Sequence, residues 1–375
     1  MHNCYLLNAL QNEFQGELIS LFSKKNFSYY QNSDLVFSSI NGRGEIKNSI
    51  NLKYSFLKNA QRSHSDYTIS KYFGQELQKK SGLIEFMDIH SEGYYFLKNN
   101  PSKRSLTIIR SHTPFTLLKQ YYHKEELSGV DTWFATEREK KCFEWTKNIT
   151  TPSLDLKNHL INLFNINSEK ITVIPNILDT QHFKPEKKPV SNNFVILHVG
   201  RYERAKGVET LNKSFIQIAK KYENVELINV GTPRGNSLEK CQIELSKNNL
   251  LDRVTFTGFV NYENLPSYYH KADLVVVPSE IYESFSYTVA QGMACGKPVI
   301  ASRIGGIPET LDHGNAGTLF NPGDQFQLTE KIEELIQNKT MKEALGIKAR
   351  DFAVDNFSVG ALKPKYIEYY QSILD

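Results

Sequence analysis

From about residue 190 onward, short apolar runs bounded by turn residues alternate with amphipathic stretches, and this alternation limits the fold more than any other feature. FVILHVG (194–200), VELINVG (225–231), VTFTGFV (254–260), ADLVVVPS (272–279) and KPVIAS (297–302) read as buried strands. Between the first two, Val208, Leu211, Phe215 and Ile218 share one helical face. TVAQGMACG (288–296) reads as a short helix closed by Gly, and Leu328, Ile332, Leu335 and Ile336 stripe a later one. Strands and helices alternating at this spacing specify a parallel sheet covered on both faces.

The first half holds the same parts in looser order. GLIEFMDI (82–89), SLTIIRSH (105–112), TWFATE (132–137) and ITVIPN (171–176) read as strands. The stretch 173–193 turns polar and rich in Pro and Lys, as a linker does. A chain of 375 residues exceeds what one core usually holds. The expectation is an α/β chain of two Rossmann-like domains, residues 1–188 and 189–357, with 358–375 returning to the first.

Several classes drop out. Uninterrupted apolar runs reach about four residues, as at Leu274 to Val277, where a bilayer span needs roughly twenty. The opening MHNCYLLNALQNEF lacks the basic-then-apolar order of a secretory leader. Cys4, Cys142, Cys241 and Cys295 show no paired spacing, so neither a disulfide framework nor a zinc knuckle is expected, and a cytoplasmic setting is. Residues 1–200 carry 25 Lys+Arg against 19 Asp+Glu (+6), and 201–375 carry 20 against 22 (−2). The basic half, with LLKQYYHK (117–124), is either a solvated face or suited to peripheral contact with an anionic membrane. No dense basic or aromatic-basic ribbon suggests nucleic acid, and nothing fixes an oligomeric state.

In open parallel sheets, ligands bind beyond the carboxyl ends of the strands. Three loops at that edge of the second domain carry chemistry. GRYERAKG (200–207) offers Arg201, a bidentate fork for phosphate, and Lys206, a compact charge, ahead of a helix start that favours anions. Alone this is weak, since surface Arg and Lys after strands are common. PSEIYESFSYTVAQ (278–291) brings Glu283, Ser284, Phe285 and Ser286 up to a helix; Glu283 could equally be a first-turn carboxylate facing the dipole. SRIGGIPET (302–310) has Gly305–Gly306, for close backbone approach or a tight turn.

Taken in order, VIPN (173–176) with Phe183 and Pro185, GRYERAKG, TFTGFV, PSxxxESF, MACGKPVIAS and GGIPE resemble the retaining glycosyltransferases of family 4. That resemblance covers roughly residues 170–357 and implies the GT-B fold, two Rossmann-like domains facing each other across a cleft. It also implies that Arg201 and Lys206 bind a donor diphosphate, that Gly258, Phe259 and Val260 lie near the nucleobase, and that Ser284, Phe285 and Ser286 border the donor. The family's two glutamates, seven residues apart, fall on Glu283, toward the sugar and phosphate, and on Gln291, where ribose hydroxyls would be held. Gln291 lacks the charge but keeps an acceptor and two donors.

The first half matches more loosely. In Phe14-Gln15-Gly16-Glu17, only Gly16 survives of a Gly-rich donor loop. IEFMDIHSEG (84–93) and IIRSHTPF (108–115) put His112 where the family has a histidine near the donor sugar; after a strand it could equally be structural. Implied is transfer of a sugar from a nucleotide diphosphate sugar, UDP- or GDP-linked, to a glycan, lipid or protein hydroxyl. No Asp-x-Asp pair occurs, so neither metal nor cofactor is expected. The rivals are a phosphorylase-like reaction on the same fold and an inactive GT-B subunit serving a partner transferase.

Overall fold

In the computed structural model the described residues are 17–20, 36–39, 67, 70–71, 73–75, 77–78, 82–88, 91–122 and 129–375. The chain divides into two compact units, one running to Asn176 and taking back Leu362–Asp375, the other being Ile177–Ala361. The division falls ahead of residue 188 because Leu178 and Phe183 are fully buried in the core of the second unit. Only 184 onward behaves as the polar stretch that the sequence suggests.

In the first unit, β1 (Glu17–Ser20) and β2 (Val36–Ser39) pair in parallel. A four-stranded parallel sheet follows in chain order: β3 (Ile84–Met87), β4 (Thr107–Arg110), β5 (Asn148–Thr151) and β6 (Ile171–Val173). Helices α1 (Tyr94–Asn99), α2 (Phe115–Tyr122), α3 (Val130–Trp145) and α4 (Leu154–Phe164) link these strands. The expected strand TWFATE is a correction: it lies within α3. Thr132, Ala135, Arg138, Glu139, Cys142 and Phe143 are buried at spacings of three and four, the period of a helix and not of a strand. Asn148–Thr151 is the strand in its place.

The second unit is a six-stranded parallel sheet. Its strands are β7 (Phe194–Val199), β8 (Val225–Val230), β9 (Val254–Phe256), β10 (Leu274–Val277), β11 (Val299–Ser302) and β12 (Thr318–Phe320). Their spatial order is β12-β11-β10-β7-β8-β9. Every residue of β10 and β11 is buried, as befits β-branched central strands sandwiched between helices. Around them run α5 (Val208–Lys221), α6 (Ser237–Lys247), α7 (Leu265–Lys271), α8 (Tyr287–Ala294), α9 (Ile307–Thr310), α10 (Gln325–Gln337) and α11 (Lys339–Phe357). The stripe of α5 is buried as expected, and Leu328, Ile332 and Leu335 of α10 share its core cluster. VTFTGFV is strand only to Phe256; Gly258 then turns the chain at φ +69° and leaves Phe259 exposed.

The last helix, α12 (Val359–Leu374), belongs from Leu362 on to the first unit. There Tyr366 is fully buried, and its hydroxyl donates to Pro175 O at 3.0 Å. Arg110, at the end of β4 and 1% exposed, pairs with Glu85 at 2.7 Å and donates to Tyr366 Oη at 3.0 Å. Among the described residues, no helix is long and apolar enough to cross a membrane.

Candidate functional site

The sheet order of the second unit puts a topological switch between β7 and β10: from β7 the chain proceeds outward to β8 and β9, then returns to β10 on the other side. In open parallel sheets such a switch point, beyond the carboxyl ends of the strands, is where ligands bind. The loops leaving these two strands are 200–207 and 278–286, and the structure brings their charged residues together. Lys206 Nζ lies 2.8 Å from Glu283 Oε1, both largely buried. Ser279 Oγ donates to the same oxygen. Burial acts to raise the Glu283 pKa, but the Lys206 charge and hydrogen bonds from Lys206, Ser279 and Ser286 outweigh it and hold the carboxyl below its usual value.

Glycines make the approach possible. Gly207 sits at φ +70°, and a Cβ there would fall 1.7 Å from Pro278 O, so the two loops touch through backbone. Glu280 N donates to Ala205 O at 3.0 Å across the same seam. Gly305, at φ +56°, would place a Cβ 2.4 Å from Glu283 O, and Gly306 N donates to that carbonyl at 2.8 Å. All three expected loops thus meet at Glu283. It lies four residues before α8, so the alternative of a first-turn carboxylate does not hold. Ser284 and Ser286 are buried beside it and Phe285 is half-buried.

Arg201 is half-exposed, with its guanidinium 2.9 Å from Glu203 Oε1. Arg234, in the loop after β8, stands 4.0 Å from the other Glu203 oxygen. Gly231 N donates to Gly258 O at 2.9 Å, which joins the loop of Gly258, Phe259 and Val260 to this edge. Gln291, in α8, is only 4% exposed, and its Oε1 accepts from the buried Tyr269 hydroxyl at 2.9 Å. His198, on β7 and missed by the sequence reading, is buried, which pushes its pKa down to about 4. Ser279 and Glu203 were missed too; each stands four or fewer residues from a chosen charge, the one signal that could have drawn notice.

In the first unit, His112 follows β4 and is half-buried, with Asn176 Nδ2 3.5 Å from its Nδ1. Burial and the neighbouring Arg110 push its pKa down to about 3, so the imidazole is neutral at physiological pH. Beneath it Asp88 Oδ2 accepts from Ser111 Oγ (2.7 Å), His112 N (3.0 Å) and Thr113 N (3.1 Å). Burial lifts the Asp88 pKa to about 6 against those three bonds. From α3, Glu139 accepts from Phe115 N (2.5 Å), Thr116 N (2.9 Å) and Thr116 Oγ1 (2.5 Å), and burial lifts it to about 7. Gly16 lies outside the described residues, as do His123 and Lys124 of the basic stretch. Among the described residues, no three His, Cys, Asp or Glu side chains cluster as metal ligands.

Two Rossmann-like halves on parallel sheets, the second with a largely buried Lys–Glu pair at its switch point, define a GT-B glycosyltransferase fold. Solved structures share it. Sucrose-phosphate synthase from Thermosynechococcus elongatus superposes with a TM-score of 0.78 at 22% identity, covering 100% of this chain and 94% of its own. Anabaena HepE in complex with UDP and glucose gives 0.73 at 18% identity, covering 98% and 95%. Residues 69–182 match Glycosyltransferase Family 4, and residues 179–352 match Glycosyl transferases group 1. The chain belongs to this family of glycosyltransferases. It is 27% identical over 235 residues to N-acetyl-alpha-D-glucosaminyl L-malate synthase of Bacillus anthracis, 60% of each chain. It is 30% identical over 213 residues to D-inositol 3-phosphate glycosyltransferase of Corynebacterium kroppenstedtii, 52% of this chain and 47% of that one. The matches thus span 60% and 47% of the lengths of these relatives.

Proposed function

We propose that the protein transfers a sugar from a nucleotide diphosphate sugar to a hydroxyl acceptor with retention at the anomeric carbon, without a metal ion. The observation that carries the reading is the Lys206–Glu283 pair at the switch point of the second unit, held by Ser279 and Gly306. Breaking the glycosidic bond to a diphosphate leaves growing negative charge, which fixed cations stabilise most when partly shielded from water. An ammonium has three donors, so Lys206 can serve Glu283 and a phosphate oxygen together. Arg201, only partly engaged by Glu203, offers its remaining fork to the same anion. The start of α5 adds a positive dipole end.

Glu283, held ionised, orients hydroxyls of the sugar. Ser284, Phe285 and Ser286 border the donor, and exposed Phe259 with Gly258 and Val260 supplies a face for the base. Gln291 reaches ribose through its amide, since its oxygen already accepts from Tyr269. His112, neutral, supports positive charge developing on the sugar ring. The second unit takes the nucleotide sugar, UDP- or GDP-linked, and the first takes a glycan, lipid or protein acceptor. A structural relative is in keeping with this: Anabaena HepE was solved with UDP and glucose.

A thermal-shift screen over UDP-, GDP-, ADP- and CMP-sugars tests the reading, because a ligand that binds only the native state raises its melting temperature. A shift with one nucleotide, followed by turnover that persists in EDTA, is the expected result. Activity lost in EDTA and restored by manganese or magnesium defeats the metal-free part. The engaged oxygen of Gln291 favours a second reading, a weak subunit that binds a partner transferase. Slow hydrolysis of the nucleotide sugar by the purified chain excludes it.

A further inference from the structure

The segment 111–116 has no regular partner for its backbone until α2 begins, yet each of its amides is satisfied. Ser111 N donates to Thr150 O on the neighbouring strand. His112 N and Thr113 N go to Asp88, Pro114 has no N–H, and Phe115 N and Thr116 N go to Glu139. Two side-chain hydroxyls, of Ser111 and Thr116, go to the same two carboxyls. Asp88 follows β3 and Glu139 lies in α3, so two separate elements grip the loop after β4 and the first turn of α2 that continues it. Both carboxyls are buried, at 4% and 2% exposure, where a backbone carbonyl or a water would ordinarily satisfy such amides at lower desolvation cost.

We propose that Asp88 and Glu139 are positioning residues that fix the loop carrying His112, and that turnover depends on that fixation. The inference rests on the transfer reading above, in which His112 takes part in the transfer. Asp88 gathers three donors on one oxygen and Glu139 three on its two oxygens, which defines the path of the segment more tightly than separate acceptors would. A loop displaced by about 1 Å can cost on the order of 10² in rate while substrate still binds.

The test uses the full chain and the nucleotide sugar found by screening. Asp88→Asn and Glu139→Gln keep size but replace a carboxylate with a weaker, single acceptor. Both are expected to lower kcat about ten- to a hundredfold while KM for the donor stays within about twofold. Amide exchange should quicken at His112 and Thr113 in the first variant, and at Phe115 and Thr116 in the second. Should either fail to fold, Ser111→Ala and Thr116→Val each remove one donor and leave the carboxyls in place; a fall in kcat of about two- to fivefold is expected. The proposal is overturned if His112→Ala slows turnover and none of these four variants does, or if they raise KM and spare kcat. If the wild-type chain turns over no nucleotide sugar, the transfer reading fails separately. Site-selective exchange in the two carboxyl variants then sustains the clamp, and unchanged exchange overturns it.

Discussion

Both units take carboxyl groups largely out of water, but they stabilise them in opposite ways. In the second unit Glu283 faces Lys206, and Asp273 is bonded by Lys188, Lys342 and the amide of Val195. Burial acts to raise both; cations and hydrogen bonds override it, and both pKa values fall. In the first unit, among the described residues, Asp88 and Glu139 meet neutral N–H and O–H donors, burial wins, and both rise. A cation fixes the charge of the site that would hold a diphosphate. Neutral donors instead fix the position of a loop whose histidine is itself uncharged. The same residue type thus reports charge in one half and geometry in the other.

The sharpest way to break this contrast is Lys206→Ala. It strips Glu283 of its cation and the proposed diphosphate of a stabiliser, and kcat/KM should fall by about 10²–10³. A folded variant within a few-fold of wild type in steady-state kinetics would remove Lys206 from the chemistry.

Next comes Gly207→Ala, which drives a Cβ into Pro278 O at 1.7 Å with a backbone at φ +70°. The two loops must part, at a stability loss of roughly 1–3 kcal/mol and with weaker nucleotide binding. Denaturant melts and calorimetry measure each. Unchanged values for both would mean that the loop seam does not organise the site.

The pH dependence of stability sharpens the contrast further. Raised carboxyls stabilise a fold most below their unfolded pKa, near 4, and lose that contribution as pH rises through the folded values, about 6 for Asp88 and about 7 for Glu139. Lowered carboxyls, Glu283 and Asp273, stabilise above the unfolded value and lose that contribution as pH falls below it. His112 and His198, both pushed down by burial, subtract from the two units alike as pH falls below about 6.5. Amide exchange resolved by unit should therefore show the first unit gaining on the second between pH 7.5 and pH 4, by about these pKa spans. Parallel changes in the two units would contradict the assignment of charge states.

The smallest effect is expected at Gln291. Gln291→Leu leaves the Tyr269 hydroxyl without its acceptor and should weaken nucleotide binding, whereas Gln291→Glu should keep or tighten it by up to about tenfold. Calorimetric titration decides; unchanged affinity in the Leu variant means that this position does not touch ribose.

The second unit was legible because its strands are continuous apolar runs and its motifs sit at their ends. LVVV needs no context to be read as buried, and the loops that follow such runs bring Lys206 and Glu283 together. The first unit was less so. Asn148–Thr151 has one strongly apolar residue, and its buried Thr150 and Thr151 gave no pattern. TWFATE began with strand-forming residues, and the helix was visible only in the charged sequence beyond it. Asp88 and Glu139 are ordinary acids in sequence. Their role comes from donors 23 to 25 residues away, which no local spacing records.

The closing helix has a consequence for the order in which the molecule is made. Residues from Leu362 complete the first unit, yet the whole of the second unit, Ile177–Ala361, precedes them on the chain. Until they emerge from the ribosome, Arg110 has Glu85 but neither Tyr366 nor Tyr370, and Pro175 O lacks its hydroxyl donor. Domains of a nascent chain generally fold in the order of their synthesis. Here the second unit has all its own residues first, and the first unit is completed only after the second is whole.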